Sequence, residues 1–244
     1  MGIVKIANFE VLERHVLLFD QIFDQSSQSL SLPSPFFEHK KRYRKIKGYE
    51  INGQKFYIKE YFNHLEEAEL EWENLFKLRN LGFFVPEPFF RRKSPDKVEI
   101  ATFELKGKLL LKLLKNKELQ DNLIYKLAEL LSTLHLKRLY YQDCYLNHFF
   151  WDKDAETLWF LDVSRVISNP RFSLKYQIKD LAQLGYSFEE YFGDKGKPFF
   201  KKVLSYYLAL SGIKPAWLVK SLVKFKIWLI RKRTEWARSK GKRL

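Results

Sequence analysis

The chain has 244 residues and carries 44 Lys plus Arg against 29 Asp plus Glu, a formal net charge of +15. A hydrophobic fraction of 46% at this length is enough for a sizeable core and excludes wholesale disorder, and a single cysteine, Cys144, excludes an intramolecular disulfide and a Cys-rich zinc site. The charge calls for an anionic partner: nucleic acid, an acidic membrane surface or a phosphorylated small molecule.

The opening residues are too mixed for the apolar region of a signal peptide, with Glu10, Glu13 and Arg14 close behind. No window approaches 18 uncharged apolar residues, so no transmembrane helix is expected. A lone thiol without an export signal fits a reducing cytoplasm. Residues 25–35 (QSSQSLSLPSP) read as a polar, Pro-punctuated loop. A basic run, HKKRYRKIKGYE, leads into INGQKFYIKEY, where Asn52-Gly53 is a hairpin turn signal. Residues 40–61 therefore predict an antiparallel hairpin with Lys59 near the end of its second strand.

A helix follows. Asn63 and Glu66 have capping-box spacing, Leu65, Ala68, Trp72, Leu75, Phe76 and Leu78 form an apolar stripe, and Gly82 is placed to close it. Pro86 and Pro88 mark an extended segment, and Val98 to Phe103 alternates as a strand. From Gly107 onward helices dominate: 108–114, 122–136, 174–192, 198–211 and 215–239. Two short strands, 147–151 and 157–163, are joined by the turn DKDAE. The pattern is α+β, a small β-rich lobe with one main helix followed by a larger helical lobe. The expected division is residues 1–104 and 105–244.

Several side chains can do chemistry, and each has an ordinary alternative. Lys59 can bind an anion or be a solvated strand residue. Glu71, twelve positions later, can orient it or belong to the acidic surface made with Glu66, Glu67, Glu69 and Glu73. In YQDCYLNHFF, the loop Asp143 can accept a proton from a hydroxyl, with His148 five residues on facing the same point; it can also be a turn residue bonded to backbone. Asp162 ends the apolar run LWFLDV, where a metal ion, a helix cap or Arg165 would satisfy it. Asp180, in KDLAQLGYS, reads as a helix cap.

The order carries more than any single residue. A strand Lys, a helix Glu, a loop Asp with a polar residue at +5 and a strand-end Asp further on resemble the protein-kinase arrangement. Phosphoryl transfer needs a cation on the ATP phosphates, a group to orient it, a carboxylate at the acceptor hydroxyl and a second carboxylate for Mg²⁺.

LHLKRLYYQDCYLNHFFWD goes further. It resembles the lipopolysaccharide core kinases, the family that includes Kdo and heptose kinases. The D-C-Y-x-x-H-F string is closest to the heptose branch. Glu71-Trp72, LDVSRV with Asp162 and Arg165, and KDLAQLGYS at 179–187 also resemble the family, over roughly residues 40–190. The resemblance implies a two-lobed protein-kinase-like fold and ATP with Mg²⁺ as cofactors. It makes Asp143 the catalytic base, and places Lys59 on the ATP phosphates with Glu71 as its partner. Asp162 becomes a Mg²⁺ ligand, and His148 stands in the slot of the metal-binding Asn or hydrogen-bonds Asp143 or a phosphate. Glu104 to Gly107 corresponds to the hinge whose backbone would hold adenine.

The chain departs from the general kinase pattern in five places, one being Arg165 in place of the Gly of D-F-G. Tyr141-Gln142 replaces His-Arg, and no G-x-G-x-x-G precedes Lys59, leaving the basic run 39–49, with only Gly48, as the segment over the phosphates. Tyr145 stands at +2 from Asp143 in place of Lys, and there is no A-P-E element.

Residues 214–244 hold 11 Lys or Arg and one acid, Glu235, with Trp217, Phe225, Trp228 and Trp236 interspersed at helical spacing. This stretch can pack one face on the large lobe with its cations solvated, or lie on an anionic membrane. Nucleic acid comes last, because no nucleic-acid fold accompanies the charge. The expectation is a kinase that phosphorylates a heptose of the lipopolysaccharide inner core, cytoplasmic and peripheral on the inner face of the inner membrane. The alternatives are a kinase for Kdo or a protein, and a non-catalytic kinase-like protein at the membrane.

Overall fold

The structure is a computed structural model that describes residues 2–41, 43–115 and 120–241; Arg42 of the basic run and the last three residues of the basic C-terminus lie outside them. The chain divides into two compact units, Met1–Leu105 and Lys106–Leu244.

The first unit is built on a seven-stranded antiparallel sheet in the order β1-β2-β8-β9-β7-β6-β5. Its elements in chain order are β1 (Ile3–Ile6), β2 (Phe9–Leu12), α1 (Val16–Asp20), the ribbon β3 (Phe23–Asp24) and β4 (Ser29–Leu30), β5 (Phe37–Lys40), β6 (Arg44–Ile51), β7 (Gln54–Tyr61), α2 (Leu65–Asn80), β8 (Pro88–Lys93) and β9 (Val98–Phe103). Asn52 and Gly53, both at positive φ, make the β6–β7 turn. Two positive φ values in a two-residue turn match the twist of the flanking strands. The core is aromatic: Phe9, Phe19, Phe56, Phe89 and Phe90 pack with Val11, Ile22 and Ile58. Phe9 meets Phe19 at 5.0 Å in an edge contact, the arrangement that ring quadrupoles favour.

Two sequence expectations change here. The hairpin expected over 40–61 is β6–β7, starting at Arg44, and the start of the basic run belongs to a further strand, β5, paired with β6, with His39 opposite Ile46 and Lys40 opposite Lys45. Gly48 lies inside β6, where a Cβ would come within 2.8 Å of the Phe36 ring, so this glycine serves a close approach. The α2 N-cap is His64 at φ 59, not Asn63, and no side chain caps it. At the other end Gly82, at φ +84, donates to Arg79 while Phe83 N–H reaches Leu78 carbonyl, the Schellman pattern.

The second unit is mainly helical. It contains β10 (Lys108–Leu109), α3 (Leu110–Leu113), α4 (Gln120–Leu136), β11 (Leu139–Tyr140), β12 (Phe149–Asp152), β13 (Thr157–Phe160), β14 (Ile167–Ser168), α5 (Ser173–Phe192), α6 (Gly196–Ser211) and α7 (Ala216–Ser239). The segment 108–114, expected to be all helix, starts as a strand paired with β12. Gly107 permits this: it sits at φ +91, and a Cβ would fall 2.2 Å from Trp151 carbonyl oxygen. Helix α5 is buried along its middle from Ile178 to Phe188 and packs against both α6 and α7. No described helix is long and apolar enough to cross a membrane.

Candidate active site

Strand alternation decides the first cluster. In β7, Phe56 and Ile58 point into the aromatic core, so Lys59 and Tyr61 share the opposite face. Glu71 lies on α2 beside Ala68, Trp72 and Leu75, and is only 2% exposed. Lys59 Nζ donates to Glu71 Oε1 at 2.6 Å, and Tyr61 hydroxyl donates to the other carboxylate oxygen. Burial and the adjacent carboxylate raise the Tyr61 pKa, so the phenol stays a neutral donor. Neither Lys59 nor Glu71 is the solvated surface residue that its neighbours in sequence suggest. Glu104 is exposed; its carboxylate accepts from Tyr57 hydroxyl at 3.1 Å and its N–H is spent on Lys55 carbonyl at 2.9 Å.

The second cluster belongs to the second unit. Asp143 follows β11 on the loop 141–145, and a 3-10 turn, Leu146–His148, leads into β12. Strand β13 stops at Phe160, earlier than its apolar run, because Asp162 adopts φ 56 and opens a 3-10 turn over Val163–Arg165. Its side chain makes no cap hydrogen bond. The two acidic segments are tied together: Tyr141 hydroxyl donates to Leu161 carbonyl, and Leu161 N–H to His148 carbonyl at 3.1 Å.

His148 is oriented by backbone. Its Nδ1 lies 2.8 Å from Asp143 carbonyl oxygen, which can only accept, so Nδ1 carries the hydrogen. In the neutral ring Nε2 then presents a lone pair, 3.9 Å from Asp162 Oδ2. One ligand atom each from Asp143, His148 and Asp162 lies within 4.8 Å of the others. Two carboxylates and one imidazole suit a divalent cation, with the carboxylates as the harder donors. Arg165 places Nη1 at 3.9 Å from Asp143 Oδ1. Burial raises the Asp143 pKa, with His148 and Arg165 opposing it. Burial also pushes the Cys144 thiol well up, so it is no nucleophile.

The residue that sequence reasoning misread is Asp180. It does not cap a helix; it is fully buried in the middle of α5. Its carboxylate accepts Tyr141 N–H at 2.8 Å, Gln142 N–H at 2.6 Å and Gln142 Nε2 at 3.1 Å. His135 of α4 bonds it through Nε2 at 3.1 Å and meets Tyr207 hydroxyl through Nδ1 at 2.8 Å. Gln183 and Ser187 continue the row: Gln183 Oε1 takes Cys144 N–H at 3.3 Å and Ser187 Oγ takes Leu146 N–H at 3.0 Å. A buried helix face thus supplies acceptors to successive N–H groups of the Asp143 loop. That supports Gln142 at φ 65, a left-handed conformation costing a non-glycine residue about 1 kcal/mol or more. The signal was present as Asp180, Gln183 and Ser187 at i, i+3 and i+7 within an apolar run.

The sequence model of the lipopolysaccharide kinase (Kdo/WaaP) family matches residues 34–206. No curated protein sequence matches the chain. Among solved structures, WaaP in complex with acyl carrier protein is similar at 19% identity and a TM-score of 0.66, covering 93% of this chain and 98% of that one. Aminoglycoside-3'-phosphotransferase of type VIII matches at 12% identity and TM-score 0.60, over 85% of this chain and 98% of its own. Aminoglycoside phosphotransferase APH(3'')-Id from Streptomyces rimosus matches at 12% and 0.53, over 77% and 89%. At these identities the structures establish a kinase-like α+β fold. The family match covers most of the chain, and the chain belongs to the lipopolysaccharide kinase (Kdo/WaaP) family, phosphotransferases with a hydroxyl acceptor.

Proposed function

We propose that this chain is an ATP-dependent kinase that phosphorylates a heptose of the lipopolysaccharide inner core at the cytoplasmic face of the membrane. The observation that supports it most is the convergence of Asp143, His148 and Asp162 within 4.8 Å. The choice of heptose over Kdo rests on the D-C-Y-x-x-H-F string from Asp143 to Phe149. In this reading residues 1–104 serve the ATP phosphates and residues 105–244 supply the catalytic loop and the acceptor site.

Phosphoryl transfer asks the protein mainly for positioning and charge. Lys59, held by Glu71, would present its ammonium to the phosphates of ATP. Backbone at 104–107 would meet adenine through groups other than Glu104 N–H. Asp162 and His148 Nε2 would hold Mg²⁺, which when bound neutralises phosphate charge. Asp143 would align the acceptor hydroxyl and take its proton as the γ-phosphoryl group moves to the oxygen and ADP departs. Burial raises its pKa and makes it a better base than a solvated aspartate, while Arg165 opposes its charge. The WaaP structure contains acyl carrier protein, and we extend that partner class to this chain, to be checked by co-purification.

Mass spectrometry of core oligosaccharides after incubation with ATP tests the proposal. A heptose-containing acceptor should gain one phosphate and a Kdo-only acceptor none. Asp143→Ala should slow turnover by about 10²–10⁴-fold without loss of fold. No phosphate on any acceptor, or wild-type activity in the alanine variant, would sink it.

A further inference from the structure

Helix α7 has a buried apolar face and an outward face rich in aromatic rings. Val219, Val223, Ile227, Thr234 and Ala237 are its buried residues and pack it into the second unit, where its main neighbour is α5. Trp217, Phe225, Trp228 and Trp236 are 68%, 58%, 47% and 56% exposed. The spacings 228 − 217 = 11 and 236 − 225 = 11 are each about three helical turns. These four rings therefore fall in one sector of about 100°, on the side opposite the buried face, and share it with the exposed Lys232–Glu235 pair. Phe225 and Trp228 stack at 5.8 Å.

Cations border this stripe. At about 100° per residue, Lys220 and Lys224 flank one edge and Arg233 and Lys240 the other. None of these four forms an ion pair among the described residues, whereas Arg231, Lys232 and Arg238 are paired with Glu189, Glu235 and Glu190. Lys240 lies 4.1 Å over the Trp236 ring. Four exposed aromatic rings in one sector, edged by unpaired cations, are a costly surface to leave in water. It matches a lipid headgroup layer, where ring bodies enter the acyl boundary and ammonium groups meet anionic heads.

We infer that the outward face of α7 is an interfacial anchor for an anionic lipid surface. The inference rests on the proposed lipid-linked acceptor for its purpose and on α7 alone for its support. Anchoring along the length of α7 would restrict encounters with acceptor to two dimensions and keep the second unit at the headgroup layer.

Vesicle flotation with the full chain tests it, using phosphatidylglycerol–phosphatidylcholine vesicles against phosphatidylcholine alone. Wild type should float with the anionic vesicles only and be released by about 0.5 M NaCl. Joint replacement of Trp217, Phe225, Trp228 and Trp236 by Ser should weaken binding by about tenfold or more at unchanged melting temperature. If that variant does not fold, the pair Phe225→Ser and Trp228→Ser should still weaken binding severalfold. Lys220→Gln with Lys224→Gln and Arg233→Gln should reduce binding to anionic vesicles. Equal floating of wild type and the Ser variants, or no floating of wild type, overturns the inference. So does loss of an acidic protein partner in the Ser variants with vesicle binding intact. Asp143→Ala should float like wild type, which separates this result from failure of the kinase proposal.

Discussion

Asp180 shows how much one buried carboxylate can organise. It receives two backbone N–H groups from the Asp143 loop, a side-chain amide and an imidazole, all with little access to water. Hydrogen bonds to a buried charge contribute more than neutral ones, and a donor left without its acceptor costs its full desolvation. Asp180→Asn keeps one oxygen but turns an amide toward donors. It should destabilise the fold by about 2 kcal/mol and lower turnover with it, read by thermal melting and by ADP release. Restored turnover at reduced temperature would mark the role as positioning. Lys59 and Glu71 carry a similar lesson, since burial of their ion pair makes each dependent on the other.

At the scale of elements, the β8–β9 ladder is held by charge as well as by packing. Glu99 is 4% exposed, and both Arg92 and Lys97 bond its carboxylate. Burial alone would raise its pKa, but the two cations outweigh burial and set it below the usual range. A depressed carboxylate contributes stability that is present above its unfolded pKa of about 4.3 and disappears as pH falls through the lower folded value. The stability gap between wild type and Glu99→Gln should therefore be largest near neutral pH and close below about pH 4, measured by urea unfolding across pH. A constant gap would mean that Glu99 acts by shape alone. The β6–β7 hairpin and α2 were legible because their signals are local: Asn52-Gly53, the alternation around Lys59, and an apolar stripe ended by Gly82. The β1–β2 hairpin was not. Its strands have four residues each, and β2 finds its other neighbour, β8, some 80 positions away.

For the whole molecule, ligand binding offers a readout that does not depend on the acceptor. A protein that binds Mg·ATP only when folded gains about 2.7 kcal/mol at a hundredfold excess over Kd. Mg·ATP should raise the melting temperature of the full chain by a few degrees, and EDTA should cancel most of the rise. Lys59→Ala and Asp162→Ala should each abolish it, and a shift retained in both variants would remove these residues from the nucleotide site. The charge of +15 also resolves at this scale. Residues 214–244 account for 10 of the 15, being 11 cations less one acid. On α7, Arg231, Lys232 and Arg238 are paired with acids, while Lys220, Lys224 and Arg233 lie along the aromatic edge.

The sequence by itself determined the family and picked out the groups proposed for the chemistry. Lys59, Glu71, Asp143, His148 and Asp162 stand in recognisable short strings, and a string is a local property. Tertiary structure alone decided what holds those groups in place. Asp180 reaches Tyr141 across 39 positions and His135 across 45, and no spacing rule spans such distances. Structure also decided the direction of His148, because a backbone carbonyl fixes the hydrogen on Nδ1 and leaves Nε2 toward Asp162. It separated the buried face of α7 from its aromatic outward face for the same reason. Both faces carry the same 3.6-residue period, and only packing against α5 and its surroundings determines which one is covered.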